Sequence, residues 1–308
     1  MITGGLRSRR PDLLPSLGIV LGGVLWGLFW LPLRALGELG LEGPWPGLVI
    51  YAACALVLLP FVPRRFGRLR GRGMSLVLTG LFTGTAFAAY ATSLLLTDIV
   101  RTLLLFYLTP VWSTLLGIAF LGERLTRFRL AALILGFTGL LVVLGLGEGV
   151  PWPRNLGDWL ALFSGLAWAY GSLRLYRTGG LPVFEQVLVF VLGGLAVLVL
   201  AVALGGEFLA PSPSGDSLLD VVPHAFAISI FVLPMLYLTI WPAMRLSPGR
   251  VGLLLMSEVV VGVGSAALMA GEPFGLRELI GTLLILSAGA VEVLGRPTAK
   301  AGAGPQGT

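Results

Sequence analysis

The chain has one cysteine, one histidine and few charges, which make up only 12% of its 308 residues. A lone thiol, Cys54, closes no intramolecular disulfide, and its place inside an apolar run says nothing of redox compartment. A lone His224 and a lone Cys54 cannot supply metal-ligand spacing, so no metal site is expected. No H-E-x-x-H, G-x-S-x-G or P-loop pattern occurs, and GLGEGV at 145–150 lacks the spacing of a dinucleotide fingerprint. No catalytic residue and no cofactor is therefore expected. Soluble domains carry about 25% charged residues. With 56% hydrophobic residues and a mean hydropathy of +0.94, this chain takes a lipid bilayer as its natural solvent. The net charge of +6 invites a nucleic-acid reading, but the basic residues fall in short clusters between apolar runs, which argues against it.

What is present is a series of long apolar runs. About 20 apolar residues cross the hydrocarbon core as a helix. Ten candidate spans follow, at roughly 14–36, 46–63, 74–96, 100–121, 128–146, 156–173, 183–204, 221–243, 249–270 and 276–294. The runs are continuous rather than alternating, which favours helices over a β-barrel. Arg7, Arg9 and Arg10 precede the first run as in a signal peptide. That run is too long for a signal h-region and has no small-x-small site, so it reads as a span.

The charges between runs give the direction. Seventeen basic residues lie at the N-terminus, in 64–72, in 123–129, at Arg174 and Arg177, at Arg245 and Arg250, and at Arg296 and Lys300. The four others, Arg34, Arg101, Arg154 and Arg277, lie in the alternate connections. Cytoplasmic loops carry the Lys/Arg excess, so both termini are predicted to be cytoplasmic in a multi-pass protein of the inner membrane. Trp45, Trp152 and Trp159 fall at predicted outer helix ends, as an interfacial belt would.

The chain also repeats itself. TPVWSTLLGIAFLGERLTRFRLAALILGFTGLLVVL (109–144) faces SEVVVGVGSAALMAGEPFGLRELIGTLLILSAGAVEVL (257–294), with LGE at 121–123 against AGE at 270–272. YATS (90–93) faces YLTI (237–240), and LWGL (25–28) faces AWAY (167–170), aligning Trp26 with Trp168. Five spans per half is an odd number, so the second half would enter the membrane upside down. The expected fold is an all-α polytopic membrane protein, ten transmembrane helices as two inverted five-helix repeats around a central cavity. The expected layout is a cytoplasmic segment 1–13, a first repeat 14–146, an external linker 147–155, a second repeat 156–294, and a Gly- and Pro-rich cytoplasmic tail 295–308 that stands outside the fold.

The WG at 26–27 and the 109–126 and 257–275 blocks resemble the drug/metabolite transporter superfamily in its EamA-type ten-helix branch, most closely the YddG-type aromatic amino-acid exporters. In that family the fourth span of each half carries a Pro or Glu-Pro, followed by a small-residue–Glu turn. Pro110 and Glu123 match in the first half, and Glu258 and Glu272 in the second, although Val259 stands where proline is often found. The resemblance implies a helix break or gate at Pro110, and a pathway lined by spans one, three, four, six, eight and nine.

Glu258 is the leading candidate site residue. It is the only charged residue between Arg250 and Glu272, roughly 12 Å along a helix from Arg250 at 1.5 Å per residue. An acid at that depth costs about 3 kcal/mol on insertion scales unless it faces a wet cavity or a partner. It could bind the cationic part of a substrate, take up a proton, or serve as a structural acid. Ser257 precedes it. An aromatic group joins it: Trp26 and Trp30 four apart, Tyr237 and Trp241 four apart, with Tyr90, Tyr107, Trp112 and Trp168. Such rings would wall a cavity and attract cations, or simply pack. Glu185 and Glu292 read as acids reaching headgroups, His224 as a solvated interfacial group, and Glu123 and Glu272 as structural turns that cap or pair with arginines such as Arg124 or Arg277.

The function expected is secondary transport of small organic solutes by alternating access, with amino acids, apolar and aromatic ones included, as substrates and export as the direction by resemblance. Export of lipophilic cationic drugs or other metabolites is the alternative within this class. An intramembrane enzyme or a non-transporting scaffold is the alternative outside it. No ring of like polar groups suggests a channel filter. The expected partners are the bilayer and a small-molecule substrate, with no nucleic acid; proton coupling stays open, and the oligomeric state is not readable.

Overall fold

A computed structural model describes residues 13–65, 67, 73–109, 111–112, 115–116, 119, 126–144, 152–177, 182–246, 251, 254–272 and 274–294. Every described element is helical. In chain order they are α1 (Leu13–Gly27), α2 (Trp30–Glu38), α3 (Trp45–Leu58), α4 (Gly73–Leu96), α5 (Ile99–Phe106), α6 (Arg127–Leu144), α7 (Leu156–Arg177), α8 (Val183–Leu209), α9 (Gly215–Ala243), α10 (Ser257–Ser265) and α11 (Leu276–Leu294). A π-turn, Ala266–Ala270, extends α10. Among the described residues, Leu13–Glu38, Gly73–Leu96, Val183–Gly205 and Ser217–Ala243 are long and apolar enough to cross a membrane, and Trp45–Phe61, Leu130–Val142 and Ser257–Ala270 are shorter apolar helices. Large apolar side chains such as Leu204, Ile230 and Leu268 stand more than 70% exposed. In water they would form an aggregation-prone surface; lipid solvates them.

Two predicted spans are broken where the backbone loses a donor. The run 14–36 is interrupted at Leu28 and Phe29, between α1 and α2. Pro32 has no N–H to return to the Leu28 carbonyl, which instead accepts from Leu31 N at 3.1 Å in a tighter turn. The run 100–121 is interrupted at Tyr107 and Leu108, just after α5. Residue 110 is proline, so the Phe106 carbonyl has no donor four residues on; the Thr109 hydroxyl supplies one at 2.7 Å. Pro110 itself, the expected gating break, lies outside the described residues, as do Glu123 and most of the 109–126 block.

The helices pack through small residues. Gly80 and Gly84 of α4 lie directly against Gly193 and Gly194 of α8, and a Cβ on Gly193 would fall on the Gly80 carbonyl. Lipid offers no hydrophobic drive between helices, so such backbone approach is a main source of cohesion. The most extensive contacts join α4 to α7 and α8, and α6 to α11; α1 packs on α9 and α10, α3 on α8 and α9, α5 on α7 and α10. If each helix is numbered by its predicted span, exchanging spans one to five with six to ten leaves these pairings unchanged. The contact between spans one and eight maps onto that between six and three, and one–nine onto six–four. The pairs five–ten, two–seven and four–nine map onto themselves.

Candidate functional site

Glu258 sits in the first turn of α10 with 4% of its surface exposed. Its carboxylate accepts from the Tyr90 hydroxyl at 2.8 Å and from the Tyr107 hydroxyl at 2.8 Å. Tyr90 comes from α4, and Tyr107 lies just beyond the end of α5. The acid and its two donors therefore come from opposite halves of the chain. The helix breaks explain the placement. Tyr107 is the C-cap of α5, its N–H still bonded to the Leu103 carbonyl at 2.9 Å, and its hydroxyl also lies 2.7 Å from the Leu255 carbonyl.

These three residues line a cavity of about 80 Å³, more space than one ordered water needs. The rest of the wall is Trp26, Ala86, Phe87, Phe106, Thr109, Trp168, Phe190, Thr239 and Leu255. The rings interlock edge to face: Trp26 with Phe87 at 5.4 Å, Trp26 with Tyr90 at 6.1 Å, Phe106 with Tyr107 at 5.4 Å, and Trp168 with Phe190 at 6.4 Å. The polar edge of Trp26 is satisfied, its indole N–H donating to Thr239 Oγ1 at 2.9 Å, while that hydroxyl donates to the Met235 carbonyl at 2.8 Å. Glu258 is the one charged side chain on the described wall.

Of the candidates read from sequence, Trp26, Tyr90, Tyr107, Trp168 and Glu258 come together here. The other described candidates are not on the lining. The Trp30 indole donates to Ser265 Oγ at 3.0 Å, and Arg34 lies over its ring at 5.4 Å. The break after α1 turns Trp30 away from the face that Trp26 presents. Ser257 Oγ lies 3.0 Å from both the Val20 and the Leu254 carbonyl, which share its one proton, and so ties α10 to α1. Trp241 carries the Arg245 guanidinium at 4.6 Å. Tyr237 and Trp112 are partly buried outside the lining. Sequence reading missed Phe87, Phe106, Phe190, Thr109 and Thr239. Phe87 stands one turn from Tyr90, a signal that was available; Phe190 belongs to the seventh predicted span, outside the set the resemblance implies.

Other acids also differ from expectation. Glu185 is fully buried and pairs with Arg65 at 3.7 Å, instead of reaching the headgroups. The Glu292 side chain lies outside the described residues. His224 is exposed, as expected of a solvated interfacial group, with Nδ1 3.0 Å from the Asp220 carbonyl. Trp152 and Trp159 are exposed and packed together at 5.2 Å. Arg124 lies outside the described residues, and Arg277 bonds its neighbour Glu278 at 3.0 Å. Glu272 accepts from Arg34 at 2.9 Å and from the backbone amides of Ile99 and Val100 at 2.9 and 3.0 Å. The left-handed Gly271, at φ 65°, ends the π-turn and aims Glu272 at the start of α5.

The described residues thus form a bundle of apolar helices around a small aromatic cavity with one acid on its wall. Residues 13–145 match the EamA-like transporter family. The chain is 23% identical to the "Uncharacterized transporter YvbV" of Bacillus subtilis (strain 168) over 281 residues, 90% of this chain and 81% of that one. It shares its fold with a solved protein crystal structure at a TM-score of 0.59 and 20% identity, covering 93% of this chain and 98% of the other. These findings support a membrane transporter, a protein that works in a lipid bilayer on a small-molecule substrate.

Proposed function

We propose that the chain is a secondary transporter, an exporter of small organic amines, that works by alternating access around Glu258. Ten spans in two inverted halves, both termini cytoplasmic in the inner membrane, form the frame of this reading. The exchange symmetry of the helix contacts supports the inverted halves, and the distribution of arginines supports the orientation. The observation that carries the reading is that Glu258, from the second half, is the one charged side chain on the described wall of an aromatic cavity and takes both its hydroxyl donors, Tyr90 and Tyr107, from the first half.

The same observation favours lipophilic cations over amino acids. A cationic amine, quaternary or protonated, can set its charge against the Glu258 carboxylate while ring faces hold its apolar body. An amino acid would bring a second charge, a carboxylate, to a described wall without Arg or Lys. Burying that charge unpaired is costly. Amino-acid export, the reading that the YddG-type resemblance implies, is the second choice, supported by the aromatic walls.

Hydrogen-bond counting supports exchange with a proton. Tyr107 has one hydroxyl proton and two acceptors in reach, Leu255 O at 2.7 Å and Glu258 Oε2 at 2.8 Å. With a proton on Oε2, Glu258 donates to Tyr107 and Tyr107 donates to Leu255, and every group is satisfied. A cationic substrate would take the place of that proton. Proteoliposomes loaded with a lipophilic quaternary amine or with phenylalanine, under imposed pH gradients, test the reading. Proton-driven movement of the amine, lost in Glu258→Gln, is the expected result. Full flux in Glu258→Gln would refute the role of the acid, and movement of phenylalanine alone would move the substrate class to amino acids.

A further inference from the structure

We infer that Glu272 and Asp158 form a two-point clamp that shuts the cavity on the face carrying Arg34, Arg101 and Arg154, and that α5 is the strut between that clamp and Glu258. The inference rests on the transporter reading for its purpose but not for its geometry. Both acids belong to the second half of the chain, and both grip the same short stretch of the first half, the turn from α4 into α5. Glu272 caps the amides of Ile99 and Val100 and holds Arg34. Asp158, fully buried at the start of α7, takes Arg101 Nε on both oxygens at 2.8 Å and Thr97 Oγ1 at 3.0 Å. Asp98, in the N-cap position of α5, makes no side-chain cap bond, so the described capping of this helix comes from across the seam between the halves.

At its other end the same helix delivers Phe106 and Tyr107 to the cavity, and Tyr107 bonds Glu258. Eight residues separate the two ends, about 12 Å at 1.5 Å per residue. The second-half segment that holds Glu258 also holds Glu272, so one segment grips α5 at both ends. The materials of the two grips differ. The cavity end is aromatic and buried. The clamp end is ionic, and its Arg34 side chain is 37% exposed, within reach of water. Charges there can separate into solvent as the halves part, whereas charges at the cavity end could not. An ionic catch that water reaches at Arg34, above an aromatic hinge at Phe106 and Tyr107, is what a gate between two rocking halves needs.

Thiol labelling tests this without any transported solute. In a Cys54→Ala background, Ala86→Cys places a reporter on the cavity wall. A membrane-impermeant maleimide is then applied to each face of oriented vesicles. Glu272→Ala and Asp158→Asn should each raise labelling from the Arg34 face at least tenfold, with no rise from the opposite face. Arg34→Gln, a half-exposed position whose loss leaves the core intact, should give a smaller rise in the same direction, and Arg34→Lys little change. Unchanged labelling in Arg34→Gln and in whichever acid variant folds, or an equal rise from both faces, would overturn the clamp. If labelling responds as stated and no solute moves, the transporter reading fails alone. If solute moves and labelling ignores the clamp, this inference fails alone.

Discussion

Tyr107 and Glu258, 151 residues apart in the chain, meet hydroxyl to carboxylate at 2.8 Å in the middle of the molecule. The contact joins the two halves through groups that lipid cannot solvate, so each depends on the other. The donor is present because a helix ends one residue early; the acceptor is present because α10 begins one residue before it.

Replacing Glu258 by Gln keeps the shape and removes the charge. A buried charge-assisted bond contributes about 1.5–3 kcal/mol, so binding of a cationic substrate should weaken roughly 10- to 150-fold. Thermal unfolding in detergent should shift by only a few degrees, because both tyrosines still find an oxygen or an amide. Scintillation proximity binding of a labelled lipophilic primary amine, whose ammonium can donate to the carboxylate, measures the first quantity. Undiminished affinity would remove Glu258 from the substrate site.

The two tyrosines should not be equivalent. Tyr90→Phe deletes one donor to Glu258 and nothing else that the hydroxyl touches, at a cost of about 1 kcal/mol. Tyr107→Phe also strands the Leu255 carbonyl, a buried acceptor, and should cost about 2–3 kcal/mol. Differential scanning fluorimetry of the two variants side by side checks the order. A less stable Tyr90→Phe would show that the Leu255 bond contributes little.

The local part of this architecture was readable before any coordinates. Apolar run length marked the helices, and the cost of an acid at depth singled out Glu258. The aromatic rows contributed Trp26, Tyr90, Tyr107 and Trp168. What could not be read was pairing across the seam. Glu272 was matched with the nearer arginine in sequence, Arg277, yet Arg34 reaches it from 238 positions away. Trp30 was placed on the face of Trp26 because a continuous helix would put it there. The turn at Leu28 and Phe29 rotates it toward Ser265, and only the missing N–H of Pro32 hinted at that turn. Helical periodicity reports which residues share a face. It does not report where a helix stops being periodic, and the site is built at two such stops.

Two glycines should respond in opposite ways to the same change. Gly193→Ala puts a methyl group onto the Gly80 carbonyl, where both partners are backbone and neither can swing aside. Separating α4 from α8 to make room should cost about 1–3 kcal/mol or prevent insertion of a stable monomer. Gly264 lies in α10 with nothing within 4 Å of the added atom. Gly264→Ala removes backbone freedom only, and should leave stability unchanged or raise it by up to about 1 kcal/mol. Thermal midpoints of the two variants moving together would mean that close backbone approach is not what holds α4 to α8.

The Arg34–Glu272 and Arg101–Asp158 pairs of the clamp should differ in weight even though their bonds are of similar length. Asp158 is fully buried and Arg101 8% exposed. The Asp158 carboxylate also accepts from Thr97 Oγ1 at 3.0 Å and from the Arg154 amide at 2.8 Å. Asp158→Asn would take from the buried Arg101 guanidinium the carboxylate that accepts from its Nε, and breaking such a buried pair typically costs about 3–5 kcal/mol. Arg34 is 37% exposed, and water can replace it at Glu272, which keeps its two backbone donors. Arg34→Ala should therefore cost no more than about 1 kcal/mol. Unfolding midpoints in detergent at low salt and again at high salt separate the two cases. The Arg34 contribution should fade with salt and the Asp158 contribution should persist, since screening acts on charges that solvent can reach. Equal losses, or a salt-sensitive Asp158, would mean that the α4–α5 turn is open to water, and the cavity beneath it with it.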